Sequence, residues 1–101
     1  MQTHFTPDTV YTFKLTNGEE IVARVIMCYD TQIEISDPMS VVASNNGIGM
    51  VATMFTADPQ KRPKLNTNNV MIWAETEENV RLKYIETTTG LALPGKKMIL
   101  G

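Results

Sequence analysis

The chain has 101 residues, of which 43% are hydrophobic and 20% are charged, and its formal net charge is −2. This size predicts a single domain, and this composition is ordinary for a globular protein and argues against a disordered chain. The slight negative charge argues against a protein that holds duplex phosphates over a broad basic face, but single-strand binding through a local cluster of cations stays open.

The N-terminal half predicts a meander of strands. Alternating apolar residues predict a first strand over Val10–Thr16, and Asn17-Gly18 predicts a tight hairpin turn because these two residues readily adopt positive φ angles. Glu20–Cys28 predicts a long second strand that is largely apolar on both faces. One face carries Ile21, Ala23, Val25 and Met27, and the other carries Val22, Arg24, Ile26 and Cys28.

The next two strands flank a polar turn that contains glycine. Ile33–Ile35 predicts a third strand that stops at Asp37-Pro38, since proline cannot donate to a central ladder, and Met39–Ala43 is apolar enough to resume it. Met50–Thr56 predicts a fourth strand that has no charged residue. An exposed edge strand of this kind promotes aggregation, so we expect it to pair with a neighbouring copy of the chain.

A loop and a fifth strand follow. Two prolines and three cations predict a loop over Ala57–Asn69, and Val70–Ala74 predicts a short strand after it. Trp73 ends this strand, and its two candidate roles are packing against the next element and stacking on a base. Packing against the following helix is the favoured role.

The period of the apolar residues changes after the fifth strand and predicts a helix over Glu77–Thr87. Thr76 is the candidate N-cap, and Glu77 and Arg81 form a favourable i,i+4 pair. The apolar side of this helix consists of Val80 and Tyr84. Leu91–Gly101, which contains a proline, two glycines and two lysines, is predicted to be a loosely held tail.

The sequence also carries signals about its compartment. Its apolar runs are far shorter than the roughly 20 residues that cross a bilayer, and the chain opens without a basic-then-apolar signal segment. The single cysteine, Cys28, allows no internal disulfide and no cysteine zinc cluster, which favours a reducing compartment. We therefore expect a cytoplasmic protein that does not bind membranes.

Five short strands in one small domain predict a mainly β fold, and a small, bent barrel suits this strand number better than a sandwich. The stretch from Leu15 to Ile35 resembles the first motif of the Sm-like family. The residues that carry this likeness are Leu15, Gly18, Ile21, Ala23, Val25, Asp30 and Ile33. Asn69–Ile72 is similar to the closing strand of the second motif of the family.

The resemblance implies a single Sm-like domain over residues 1–101: a five-stranded, strongly bent, SH3-type open barrel at 10–74, a C-terminal helix at 77–87 and a tail at 91–101. It also implies a homo-oligomeric ring, in which the edge strand at 50–56 of one copy pairs with the edge strand at 70–74 of the next. Single-stranded RNA, or DNA, would bind at the pore of this ring.

The chain departs from the family pattern at several positions. The central glycine is replaced by Ala23, and Asp30 lies one residue further along, an offset that a β-bulge in the second strand would absorb. The base-reading asparagine of the family falls at Glu34, and its stacking aromatic falls at Gln32. The basic turn before the last strand is replaced by the loop over Ala57–Asn69.

Two clusters are candidate nucleic-acid-binding sites. Asp30 would orient the predicted turn while Gln32 and Glu34 meet a base edge, since glutamine pairs with adenine and carboxylates accept from the amino group of cytosine. The alternative is an ordinary polar turn. The second cluster consists of Lys61, Arg62 and Lys64. These cations are placed to contact phosphates, or they simply keep a surface loop soluble.

No catalytic constellation emerges from the sequence. It has no glycine-rich phosphate loop, no nucleophile elbow and no metal-binding spacing of histidines and acids. The sequence therefore predicts a protein that is not an enzyme and needs no cofactor and no metal. We expect a ring that binds single-stranded nucleic acid during RNA or DNA processing. The alternative is a ring that acts as a structural or protein-adaptor component.

Overall fold

A computed structural model describes residues 5–89, so the predicted tail at 91–101 lies outside the described residues. The described residues are mainly β, with one antiparallel sheet that is open rather than closed into a barrel, and one helix after the last strand. The elements are β1 (Thr9–Leu15), β2 (Glu20–Cys28), β3 (Gln32–Ser44), β4 (Gly47–Ala52), β5 (Lys64–Asn66), β6 (Val70–Glu75) and α1 (Glu78–Thr88). Within residues 5–89, no helix is both long enough and apolar enough to cross a bilayer.

The strand order in the sheet is β4-β3-β2-β1-β6, and β5 pairs with β3 beside this path. The hairpin between β1 and β2 turns at Asn17-Gly18 as predicted, with Gly18 at φ 92°. The N–H of Gly18 donates to the carbonyl of Leu15 at 2.9 Å, and the side-chain oxygen of Asn17 accepts from the N–H of Glu19 at 2.9 Å. The first turn therefore follows directly from its two residues.

The predicted end of the third strand at Asp37-Pro38 is wrong, because β3 runs through both residues. Val22 pairs with Met39 but Arg24 pairs with Ser36, so β3 contains an extra residue that bulges out of the ladder. Asp37 takes up this bulge with a positive φ of 51°. A bulge is the place in a central strand where the missing N–H of proline is tolerated.

A second bulge lies in β2, at Ile26. Val25 pairs with Ile35 while Met27 pairs with Glu34, so β2 carries one more residue than β3 between these pairs. This extra residue reverses the alternation of faces for the rest of β2. Met27, which was predicted to share a face with Val25, is exposed, whereas Cys28 packs against the core cluster of Val25.

The part of the chain after β3 differs from the prediction at two places. Gly47, at φ 123°, lets β4 begin directly after a tight turn, and β4 ends at Ala52, so residues 53–56 are not part of this strand. The predicted loop over Ala57–Asn69 contains β5, so residues 5–89 form six strands instead of five. Pairing with β3 outweighs the local composition of this segment.

Two hydrophobic clusters cover opposite faces of the sheet. The first cluster contains Phe5, Tyr11, Phe13, Ile21, Ala23, Val25, Ile33 and Ile35. The second contains Val10, Val22, Met39, Met50 and Tyr84, with Val80 and Ile85 packed against it. The predicted apolar side of the helix, Val80 and Tyr84, is therefore confirmed. The predicted packing of Trp73 against the helix is wrong, because Trp73 packs against Phe5 and Tyr11 of the first cluster. The centroid of its ring lies 4.7 Å from that of Phe5 and 6.0 Å from that of Tyr11.

The helix begins one residue later than predicted, and Glu77 rather than Thr76 is its N-cap. The carboxylate of Glu77 accepts from the N–H groups of Asn79 at 3.0 Å and Val80 at 3.2 Å. Thr76 is buried, and its hydroxyl is hydrogen-bonded to that of Thr12 at 2.9 Å, so it cannot serve the helix. The carboxylate at this end also complements the helix dipole.

The hydroxyl of Tyr84 joins α1 to the sheet at the bulge of β3. This fully buried hydroxyl accepts from the N–H of Arg24 at 3.1 Å and donates to the carbonyl of Ser36 at 2.8 Å. Arg24 and Ser36 are partners across the β2–β3 ladder, so the phenol bridges two strands where their register shifts. Burial raises the pKa of Tyr84 well above its ordinary value, and the phenol stays neutral.

We expect Tyr84→Phe to lower the free energy of unfolding by about 1–3 kcal/mol, because it leaves the half-buried N–H of Arg24 and the half-buried carbonyl of Ser36 without their partner. Urea denaturation followed by circular dichroism measures this loss. The matched control is Tyr29→Phe, which removes an exposed phenol hydroxyl and should change stability by less than about 0.5 kcal/mol. Equal stability of Tyr84→Phe and the unaltered chain would contradict the bridging role.

Candidate nucleic-acid interface

The pairing of β5 with β3 brings the two predicted clusters together. Glu34 stands directly opposite Lys64, and Gln32 stands opposite Asn66. On the other side of β3, Glu34 is the partner of Met27. Residues directly opposite in an antiparallel pair share a face, so Met27, Glu34 and Lys64 form one row across three strands. The sequence named Glu34 and Lys64 separately, and the sheet makes them neighbours.

The next row along the strands points the other way. Its members are Cys28, Ile33 and Leu65, and all three belong to or pack against the first core cluster. The apolar row of Cys28, Ile33 and Leu65 holds the ends of these strands in place, because its side chains pack in the core. The row of Met27, Glu34 and Lys64 therefore lies at a fixed position on the surface, where Met27 and Lys64 are exposed.

The carboxylate of Glu34 is the centre of this surface. One of its oxygens accepts from the hydroxyl of Tyr29 at 3.3 Å, and the other accepts from the guanidinium of Arg62 at 3.4 Å. The side chain of Glu34 is 17% exposed and that of Arg62 is 55% exposed, so solvent reaches the ion pair chiefly from the arginine side. We call the residues Tyr29, Gln32, Glu34, Arg62 and Lys64 the Glu34 patch.

Tyr29 is a member of this patch that was not among the residues predicted from the sequence. This residue is 47% exposed, and its N–H donates to the carbonyl of Gln32 at 2.8 Å, which closes the turn between β2 and β3. Desolvation raises the pKa of Tyr29, and the charge and hydrogen bond of Glu34 raise it further. The available signal was an aromatic residue directly before Asp30, at the predicted turn.

The remaining predicted residues lie around the patch rather than in it. Asp30 is exposed in the turn between β2 and β3. Lys61 donates its N–H to the carbonyl of Asp58 at 3.0 Å and lines a cavity on the side of α1. The cluster of three cations is therefore divided: Arg62 and Lys64 are beside Glu34, and Lys61 faces a different part of the surface.

Beyond the patch, the two strands at the ends of the sheet path carry exposed apolar side chains. On β6, Met71 is 60% exposed and Ile72 is 61% exposed. On β4, Ile48 is 43% exposed, and Phe55, a few residues after this strand, is 81% exposed. Edge strands of this composition favour pairing with a further strand.

Among residues 5–89, no three His, Cys, Asp or Glu side chains lie close enough together to hold a metal ion. Comparisons with known proteins found no matching family model, no matching curated protein and no matching solved structure. The function of the chain is therefore inferred from the contacts of its described residues.

The contact between Tyr29 and Glu34 has a measurable consequence. We expect Glu34→Gln to lower the pKa of Tyr29 towards the ordinary tyrosine value, because a neutral amide no longer repels the phenolate. An NMR titration of the tyrosine ring carbons follows this change. Glu86→Gln, which removes a charge from α1, should leave the pKa of Tyr29 unchanged. A Tyr29 pKa that is the same with and without the Glu34 carboxylate would show that the two side chains are not in contact in solution.

Proposed function

We propose that this chain binds single-stranded nucleic acid, with RNA as the first candidate, through the Glu34 patch. The observation that carries this proposal is the β3–β5 pairing, which gathers an exposed aromatic ring, two cations and an amide at one end of the sheet. These are the side-chain types that hold single strands, because aromatic rings stack on bases and cations neutralise phosphates.

Each member of the patch has a separate task in this proposal. The exposed ring of Tyr29 stacks on a base, with the apolar side chain of Met27 nearby on the same surface of the sheet. Arg62 and Lys64 contact phosphates on either side of that base, and Gln32 offers both a donor and an acceptor to a base edge. The local charge of the patch is positive although the whole chain is slightly negative.

Glu34 limits and directs this binding. Its carboxylate orients Tyr29 and Arg62, but it also neutralises one of the two cations and repels phosphate. This ion pair specifically favours the second candidate function, a structural or adaptor role without nucleic-acid binding. Glu34 thus lowers the positive charge of the patch. The affinity for single-stranded nucleic acid therefore distinguishes a nucleic-acid-binding protein from an adaptor.

We further propose that copies of the chain associate through β4 and β6 in a ring of the Sm-like type. The two strands lie at opposite ends of the sheet path, so pairing β4 of one copy with β6 of the next repeats in the same sense around a closed assembly. The exposed apolar side chains of Ile48, Met71 and Ile72 would be buried by this pairing. A ring would also repeat the Glu34 patch and so increase avidity for a long strand.

The binding proposal predicts affinity for labelled oligo-U or oligo-A that falls as salt rises. For single strands, each phosphate contact contributes about −0.7 to the slope of log K against log salt concentration. Neutralising Arg62 and Lys64 together, as Arg62→Gln and Lys64→Gln, should make the slope shallower by about 1.4, which fluorescence anisotropy measures. Lys83→Gln, on the exposed surface of α1, is the matched control and should change the slope little.

The stacking role of Tyr29 is tested in the same assay. Tyr29→Ala should weaken binding about 5- to 150-fold, which corresponds to the ~1–3 kcal/mol of one base stack, whereas Tyr29→Phe should keep most of the affinity. Glu34→Gln should strengthen binding because it removes a repelling charge. No binding by the unaltered chain or by Glu34→Gln at low salt would reject nucleic-acid binding and favour the adaptor.

The association proposal predicts a mass larger than that of one chain by multi-angle light scattering. A lysine at either edge, as in Ile48→Lys or Ile72→Lys, should reduce this mass to that of the monomer, because the charge is desolvated when strands pair. Leu82→Lys places the same change at a half-exposed position on α1 and should leave the mass unchanged. A monomeric unaltered chain would refute the ring.

A further inference from the structure

A cavity of about 320 Å³ lies between the end of α1, the bulge of β3 and the segment after β4. This volume is at the lower end of the range that holds small ligands or single side chains. No residue of the Glu34 patch lines it, and of the predicted site residues only Lys61 does. Its chemistry therefore does not follow from nucleic-acid binding.

The walls of the cavity are largely apolar and stiff. Pro38, Pro59 and Pro63 line it, and their rings restrict the backbone on two sides. Met39 and Met54 supply flexible apolar side chains that adapt to a ligand. Such walls suit an alkyl chain better than a heavily hydrated group.

Two acidic residues also line the cavity, and both are exposed to solvent. Asp37 lies on the bulge of β3 at a positive φ, and Asp58 lies in the segment after β4, where its Oδ1 accepts from the N–H of Gln60 at 2.9 Å. Desolvation raises the pKa of Asp37, and the nearby positive charge of Arg24 only partly offsets this. Among the described residues that line the cavity, Lys61 is the only cation, so acids outnumber bases there.

The end of α1 adds to the negative potential. Thr87 and Thr88 line the cavity, and the last turn of α1 contains no basic residue that would neutralise its exposed carbonyls. A cation is therefore favoured over an anion at this end of the cavity.

We propose that this cavity binds an aliphatic cation, that is, an ammonium or guanidinium group carried on an alkyl chain. The alkyl chain lies against the prolines and methionines, and the cationic group donates to the carboxylates of Asp37 and Asp58. Anions are disfavoured by the two carboxylates and the helix end. This site is independent of nucleic-acid binding at the Glu34 patch.

Agmatine, which carries both kinds of cationic group on a short alkyl chain, is a suitable probe. Titration into the isotope-labelled full-length chain at low ionic strength should give saturable amide shifts centred on Asp37, Met54 and Thr87. Pentan-1-ol, which has an alkyl chain but no charge, should bind far more weakly. Shifts spread evenly over all acidic residues would mean general charge attraction and would overturn the proposal.

Two variants test the carboxylates without disturbing the backbone. Asp37→Asn keeps a residue type that tolerates positive φ, and Asp58→Asn keeps the side-chain oxygen that accepts from Gln60. Each should weaken agmatine binding about tenfold or more, because a charge-assisted hydrogen bond is lost. Glu86→Gln removes one charge from α1 outside the lining of the cavity and should have little effect. Unchanged affinity in both aspartate variants would overturn the proposal.

A further full-length variant identifies the source of the cation. Lys96 and Lys97 follow α1 in the sequence, and Lys96→Gln with Lys97→Gln removes both charges. Tighter agmatine binding by this variant than by the unaltered chain would mean that the chain's own lysines compete for the cavity. Equal affinity would mean that the cation comes from a separate molecule. No saturable binding by either protein would refute the site.

Discussion

The arrangement of this fold depends on the hydroxyl of Tyr84, which joins three elements at one point. It links β2 to β3 through Arg24 and Ser36, where the register of the two strands shifts, and it fixes α1 against the sheet. A register shift in a central ladder disturbs backbone pairing, and buried backbone groups need partners. Because the phenol supplies both a donor and an acceptor, the helix and the bulge stabilise each other.

The two bulges also explain which parts of the fold were open to prediction. Hairpin turns and apolar faces follow from local residues, and Gly18, Val80 and Tyr84 were assigned correctly. Pro38 predicted a strand end because proline cannot donate to a central ladder. The strand continues because a bulge accommodates this residue, and a bulge depends on the register with the partner strand, which local composition does not reveal. The same limit applies to Met27, whose exposure depends on one extra residue at Ile26.

The sequence identified several residues of the candidate site, but it did not predict which of them lie next to each other. Glu34 and Lys64 were both named from the sequence, yet their pairing depends on β5, a short strand within a segment rich in proline and charge. Such a strand forms because β3 offers an unpaired edge, which is a tertiary effect. Tyr29 was missed for a related reason: an aromatic residue beside a turn has no evident role until its neighbour across the turn is known.

The two hydrophobic clusters on opposite faces share only the sheet between them. The first is built from the strands and from Phe5, whereas the second contains Tyr84 and is covered by α1. Detachment of the helix would uncover Val22, Met39 and Met50 without disturbing the other face. Amide protons of α1 should therefore exchange with deuterium through a partial opening, at a lower free energy than those of β1 and β2. The helix and the bulge that Tyr84 bonds then open together, while the residues of the first cluster keep their contacts with one another.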